Sequence, residues 1–186
     1  MSGLNAQLSL DALRETGLEL AVAGHSTPVV LLIGGGTAAL LGELLRPART
    51  TADCDVFWSG DDKSWSAVAR AAAAVAARLA LPPTWLNRDA SMYAWRLPIG
   101  WQSRCITVGQ FGPLDVPRVT RLDLIAAKIV SSPKRPQDLD DLRDLRPTKA
   151  ELAFVAEHLD RLESEHLDGA SFDDQRAVLD SLRGGA

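Results

Sequence analysis

The chain predicts an α/β (α+β) fold, a small mixed sheet flanked by helices and followed by a helical C-terminal portion. Three observations predict it. A run rich in valine and leucine, Val29-Val30-Leu31-Leu32-Ile33, ends in Gly34-Gly35-Gly36 and passes into Thr37-Ala38-Ala39-Leu40, which is the pattern of strand, turn and helix. A second apolar run opens with two acids at spacing two, Asp53-Cys54-Asp55-Val56-Phe57. From Thr120 onward the apolar residues recur only at helical spacing.

Each element has a local reason. Residues 5–24 read as a helix, with Leu8, Leu10, Leu13, Leu18 and Leu20 on an apolar face that Gly17 interrupts. Residues 28–33 are short and valine-rich, so they read as a buried strand. Residues 37–45 read as a helix that stops before Pro47. Residues 53–58 form the second strand, and 62–80 an alanine-rich helix that ends ahead of Pro82-Pro83. Glycine and proline punctuate short strands around 84–86, 92–97, 104–109 and 113–116. Thr120 caps a helix over 121–131, and 136–145 is a short helix carrying Leu139, Leu142 and Leu145. Thr148-Lys149-Ala150-Glu151 is a capping box for a helix of roughly 18 residues, and Ser171-Phe172-Asp173-Asp174 opens the last one. The division is a core over 1–118 and a helical part over 119–186 packed on it as one unit.

Composition narrows the class. The chain has 186 residues, 46% hydrophobic and 24% charged, which suits one globular domain. A formal net charge of −4 gives no strongly basic field, although a local basic patch suffices for RNA. Cys54 and Cys105 lie in apolar surroundings and read as buried thiols of a reducing compartment. No stretch resembles a signal peptide or spans a bilayer. These points predict a cytoplasmic protein with no membrane partner.

The acids and glycines carry the chemistry. Alternate side chains of a strand share a face, so Asp53 and Asp55 stand side by side with Cα atoms roughly 6.5 to 7 Å apart, while Cys54 points into the core. Two carboxylates so close repel by about 2 to 3 kcal/mol at an effective dielectric near 20. A divalent cation removes that repulsion and takes both as hard oxygen ligands. Glycines let a backbone approach a phosphate, and a helix N-terminus favours anions. Together they read as a site for a metal-bound nucleoside triphosphate. A Walker phosphate loop is excluded, because no Gly-Lys-Ser/Thr follows.

Two blocks resemble the nucleotidyltransferase superfamily. The first is Ile33-Gly34-Gly35-Gly36-Thr37-Ala38 followed by Arg49-Thr50-Thr51-Ala52-Asp53-Cys54-Asp55-Val56. The second is Asp123-Leu124-Ile125-Ala126-Ala127-Lys128-Ile129-Val130 followed by Arg135-Pro136-Gln137-Asp138-Leu139-Asp140-Asp141-Leu142, which is similar to the C-terminal motif of the branch holding abortive-infection type toxins and related bacterial proteins. The resemblance implies transfer of a nucleoside monophosphate from a nucleoside triphosphate to a hydroxyl of RNA (a tRNA, for instance) or protein. It implies one or two Mg²⁺ ions on Asp53 and Asp55, and triphosphate on Gly35, Gly36 and Thr37. It implies that Lys128 contacts phosphate, that Asp138 is a ligand or base, and that Arg49 and Arg135 touch phosphate or RNA. It also implies a toxin with an antitoxin protein as partner. Trp85-Leu86-Asn87 and Pro98-x-Gly100-Trp101 are similar to segments of the same relatives, with no chemistry attached.

Other readings stand beside this one. Gly34-x-Gly36-x-x-Ala39 fits the dinucleotide fingerprint, but the two acids open their strand and repeated strand–helix units are lacking. Many superfamily members carry a third acid on a later strand, whereas here 92–97 and 104–109 hold none and Asp115 is the sole acid in a nearby strand. An inactive nucleotide-binding or protein-interaction module is therefore the alternative. Asp53 and Asp55 also suit a solvated strand face beside Arg49, and Lys128 suits a snorkelling side chain. Asp138 and Asp141, at i and i+3, suit pairing with Arg135 or Arg143. Trp95 and Trp101 read as packing residues, and His158 and His166 as surface residues.

Overall fold

The computed structural model describes residues 3–165 and 171–184. His166 and Asp168 lie outside the described residues. The chain opens with helix α1 (Ala6–Val22), capped by the Asn5 side chain, which accepts from the Leu8 N–H. Strands β1 (Val29–Val30) and β2 (Leu32–Ile33) are two halves of the predicted first strand. Both run parallel to β6 (Leu114–Arg118) in one register, Val29 opposite Leu114 and Ile33 opposite Arg118. Helix α2 (Gly35–Leu41) starts earlier and stops sooner than its apolar pattern implies, because Gly42 ends it.

Strand β3 (Cys54–Phe57) pairs antiparallel with β2, and β4 (Leu86–Asn87) pairs parallel with β3. Strand β5 (Ile106–Phe111) closes the other edge antiparallel to β6. The sheet order is thus β5, β6, the split β1/β2 run, β3, β4. This mixed sheet settles one alternative. A dinucleotide fold needs the strand after the glycine turn to run parallel to the first, and β3 runs the other way.

Helix α3 (Asp62–Leu79) packs along α1 through alanines and valines, and Asp61 caps it. The predicted strand at 92–97 is instead a 3-10 helix, Asp89–Arg96. Its Ser91 hydroxyl accepts from the Trp58 N–H and donates to the Val56 carbonyl, which fastens that segment to the end of β3 and leaves it no partner strand. A short helix, α4 (Trp101–Arg104), follows Gly100.

Helices α5 (Arg121–Ser131), α6 (Pro136–Leu145), α7 (Lys149–Glu165) and α8 (Asp173–Gly184) complete the fold. The capping signals are realised. The Asp123 N–H donates to Thr120 Oγ1 at 3.3 Å, and Thr148 and Glu151 exchange bonds of 2.8 and 3.2 Å. Val29, Ile33, Val56, Val75, Leu114, Ile125, Leu142 and Leu159 belong to one buried core. Among the described residues no helix is long and apolar enough to cross a membrane.

One surface expectation is overturned. His158 is buried, with Nε2 2.8 Å from the Arg96 carbonyl. It falls at helical spacing within the apolar stripe of Leu152, Val155, Leu159 and Leu162, so the fold draws it inward. Trp101 is buried edge-on against Phe57, 5.0 Å between ring centroids, whereas Trp95 is half-exposed beneath the Arg96 guanidinium.

Candidate active site

The site forms where the C-terminal end of β2 meets the start of β3. Ile33 lies opposite Val56, and the Gly34 N–H donates to the Asp55 carbonyl at 2.9 Å. The glycine turn and the acid pair are therefore adjacent by strand pairing alone. Along β3 burial alternates, with Cys54 and Val56 fully buried and Asp55 and Phe57 partly exposed. This is the two-residue period that places acids on the open face.

Gly35 has φ +56°, a left-handed conformation that favours glycine, and a Cβ there would collide with Asp55 Oδ2. A Cβ on Gly36 would sit 2.8 Å from Thr51 Oγ1. The glycines thus keep a cradle open between α2 and the carboxylates. The first N–H groups of a helix lack intrahelical partners, and here they begin at that cradle. The Thr37 hydroxyl is fully buried and donates to the Asp53 carbonyl at 2.8 Å, clamping α2 to the start of β3.

The loop leading to Asp53 is pinned twice. Leu4 and Thr51 exchange backbone bonds of 2.8 and 2.9 Å. Arg49 forks onto Asp141, with Nε to Oδ1 at 2.8 Å and Nη2 to Oδ2 at 3.2 Å, and it also donates to the Thr50 carbonyl.

Asp55 is held above the usual carboxylate range. Burial is the main cause and the Asp53 charge the next, while Arg135 and a hydrogen bond from Asn87 oppose them. Asn87 was not singled out for chemistry by the sequence. It stands in register with Asp55 on β4, and its Nδ2 donates to Asp53 Oδ2 at 3.3 Å. Trp85, fully buried with Nε1 bonded to the Ala72 carbonyl at 3.0 Å, anchors that strand to α3. The available signal was an amide closing the apolar pair Trp85-Leu86. Asp89, exposed, adds a third negative charge that acts on Asp55.

The second sequence block folds into a buried ion cluster. Lys128 Nζ donates to Asp138 Oδ1 at 2.8 Å and Asp141 Oδ2 at 2.6 Å, with all three side chains at most 6% exposed. The other Asp138 oxygen accepts from Ser131 Oγ at 2.7 Å and lies 3.6 Å from Arg135 Nε. Burial works to raise Asp141, but the hydrogen bonds and charges of Arg49 and Lys128 hold it below its ordinary value. Lys128 and Asp138 are thus committed to one another between α5 and α6. Arg135 is more than half exposed and its charge reaches Asp55.

Asp115 is not next to the pair. It lies level with Val30 on β6, four residues and roughly 13 Å before the glycine turn. Among the described residues no group of three histidine, cysteine, aspartate or glutamate side chains is placed to hold a metal. Asp53 and Asp55 are hard oxygen donors of the kind Mg²⁺ takes, usually through one or two carboxylates plus phosphate.

Residues 10–171 match the family described as "Nucleotidyltransferase of unknown function (DUF6036)". The chain belongs to that family. The glycine turn, the Asp53–Asp55 pair and the Lys128–Asp138–Asp141 cluster all fall within the matched span of this nucleotidyltransferase family. No curated protein and no solved structure matches the chain.

Proposed function

We propose that the protein transfers a nucleoside monophosphate from a nucleoside triphosphate to a hydroxyl of an RNA, such as a tRNA, or of a protein, and serves as the toxin of a toxin–antitoxin pair. The observation that carries the reading is the Asp53–Asp55 pair set against Gly35, where nothing larger than hydrogen fits. Membership of a nucleotidyltransferase family supports it. The acceptor hydroxyl gives up its proton to solvent, its oxygen attacks the α-phosphorus, the bond from that phosphorus to the α–β bridging oxygen breaks, and pyrophosphate leaves. Asp53 and Asp55 would hold Mg²⁺, which supplies charge neutralisation for the attacking and leaving oxygens. Gly35 and Gly36 admit the phosphates, and exposed Arg135 offers them a counter-charge. Arg49, Lys128 and Asp138 act behind the site, bracing the loop before Asp53 against α5 and α6.

The test is a thermal shift with each nucleoside triphosphate, with and without Mg²⁺, followed by transfer of α-labelled nucleotide to tRNA and protein acceptors. Saturation at 100 times the dissociation constant adds about 2.7 kcal/mol of stability. The expected result is a Mg²⁺-dependent shift and label transfer, both lost in Asp53→Ala. A folded Asp53→Ala protein that transfers at the wild-type rate refutes the reading. Among the described residues no third histidine, cysteine, aspartate or glutamate side chain is placed with the pair to hold a metal, which favours one second reading, a nucleotide-binding or interaction module without catalysis. A nucleotide shift with no pyrophosphate released on any acceptor selects it.

A further inference from the structure

The segment that follows β4 carries an exposed row of rings beside the acid pair. In the 3-10 helix Asp89–Arg96, Tyr93 and Trp95 keep 51% and 48% of their surface open, and Met92 and Ile99 stand exposed beside them. The Arg96 Cζ lies 5.3 Å from the centre of the Tyr93 ring and 4.9 Å from that of Trp95. Its Nε is buried without a hydrogen-bond partner, and among the described residues no carboxylate pairs with it. Both ends of the segment are fastened. Ser91 Oγ bonds the Trp58 N–H and the carbonyl of Val56, the residue after Asp55. At the other end His158 Nε2 lies 2.8 Å from the Arg96 carbonyl, and Arg161 Nη2 donates to the Leu97 carbonyl at 3.4 Å. With a rise of about 2 Å per residue, Tyr93 and Trp95 follow the Ser91 anchor by roughly 4 and 8 Å along the helix.

Two rings and a guanidinium held together make an apolar surface with a positive charge. Unpaired nucleobases stack on aromatic rings and on guanidinium planes with little regard to sequence, and the charge suits the phosphates beside them. A ribose hydroxyl arrives with its base on the same sugar, so a site that takes an RNA hydroxyl needs a resting place for a base. A protein hydroxyl needs none. A stable protein partner covers about 800 Å² on each side, which a row of four side chains from one short segment does not supply. We propose that Tyr93, Trp95 and Arg96 form a stacking platform for the unpaired end of an RNA acceptor. Arg135, more than half exposed with its charge reaching Asp55, is placed to meet the phosphates. The inference rests on the proposed function and selects RNA over protein as the acceptor.

The experiment measures the fluorescence anisotropy of a labelled RNA hairpin with a few unpaired nucleotides at its 3′ end, where the ribose hydroxyls are free, and of the same hairpin with a blunt end. It compares the wild type with Tyr93→Ala, Trp95→Ala, Trp95→Phe and Asp53→Ala, each checked for folding by its melting curve. Transfer of α-labelled nucleotide to the same hairpin and to protein acceptors is then followed. The wild type should prefer the unpaired end. Each alanine variant at a ring should bind it about tenfold more weakly, with transfer to the hairpin falling in step, while Trp95→Phe keeps most of the affinity. Asp53→Ala should bind the hairpin and transfer nothing. Equal affinity for the two hairpins, or ring variants within twofold of the wild type, overturns the platform and leaves the acid pair's role standing. Transfer to protein acceptors alone, with no hairpin bound, overturns the inference in favour of a protein acceptor. No transfer to any acceptor overturns the proposed function and the acceptor role with it, even where the hairpin binds.

Discussion

Replacing Lys128 by methionine tests what the second sequence block does. The ammonium group bridges Asp138 and Asp141 at 2.8 and 2.6 Å, with every partner nearly sealed from water. Methionine keeps most of the stem's volume and removes the charge. Two buried carboxylates then face one another with their shared counter-ion gone. Removing one partner from a buried ion pair costs about 3 to 5 kcal/mol. Residual partners set the cost near the lower end. Asp141 keeps its fork from Arg49, and Asp138 keeps the Ser131 hydroxyl. We expect a loss of about 3 kcal/mol, roughly a 6 to 12 °C drop in melting temperature for a chain of this size. Denaturant unfolding with the slope checked for constancy measures it. Adding Asp138→Asn to the same chain should recover part of the loss, because it removes one of the stranded charges. The pH dependence follows from Asp141, whose folded-state pKa is depressed. Its contribution is present above the unfolded carboxylate value and is lost as pH falls through the folded value. The gap between wild type and variant therefore narrows in acid. A loss under about 1 kcal/mol, the scale of an exposed pair, refutes the buried-cluster reasoning.

Two further outcomes follow from the acid pair. Asp55→Asn should raise stability at pH 7 in cation-free buffer, by up to about 2 kcal/mol after solvent screening. The folded pKa of Asp55 is raised, so its ionisation costs stability as pH rises through that value, and the gain should vanish below the ordinary carboxylate range; thermal unfolding from pH 3 to 8 checks it, and a variant less stable than wild type at pH 7 counts against the repulsion. Gly35→Ala forces a left-handed conformation costing about 1 to 2 kcal/mol and drives a methyl into Asp55. It should lower the melting temperature and abolish Mn²⁺ binding together, and unchanged values of both would remove Gly35 from the cradle.

Local chemistry determined a good deal of this protein from sequence. The strand running into Gly34-Gly35-Gly36, the alternation that puts Cys54 inside and Asp55 outside, and the caps at Thr120 and Thr148 depend on neighbours within a few residues, so their patterns survive in one dimension. The mixed architecture followed from them, and so did the acid pair and the glycines. Tertiary structure decided the rest. Residues 92–97 carry strand-like residues but became a 3-10 helix because Ser91 ties them to the end of β3. His158 went inside because its helix turned that face to the core. Asn87 joined the acids through β3–β4 pairing across more than thirty residues. Lys128 looked like a surface cation at the edge of an apolar face. The packing of α6 on α5, with Arg49 reaching in from the loop before β3, is what buried it between two aspartates. A pattern of apolar spacing records which face of an element is buried, but it does not record which charges meet there, because those meetings depend on how distant elements dock.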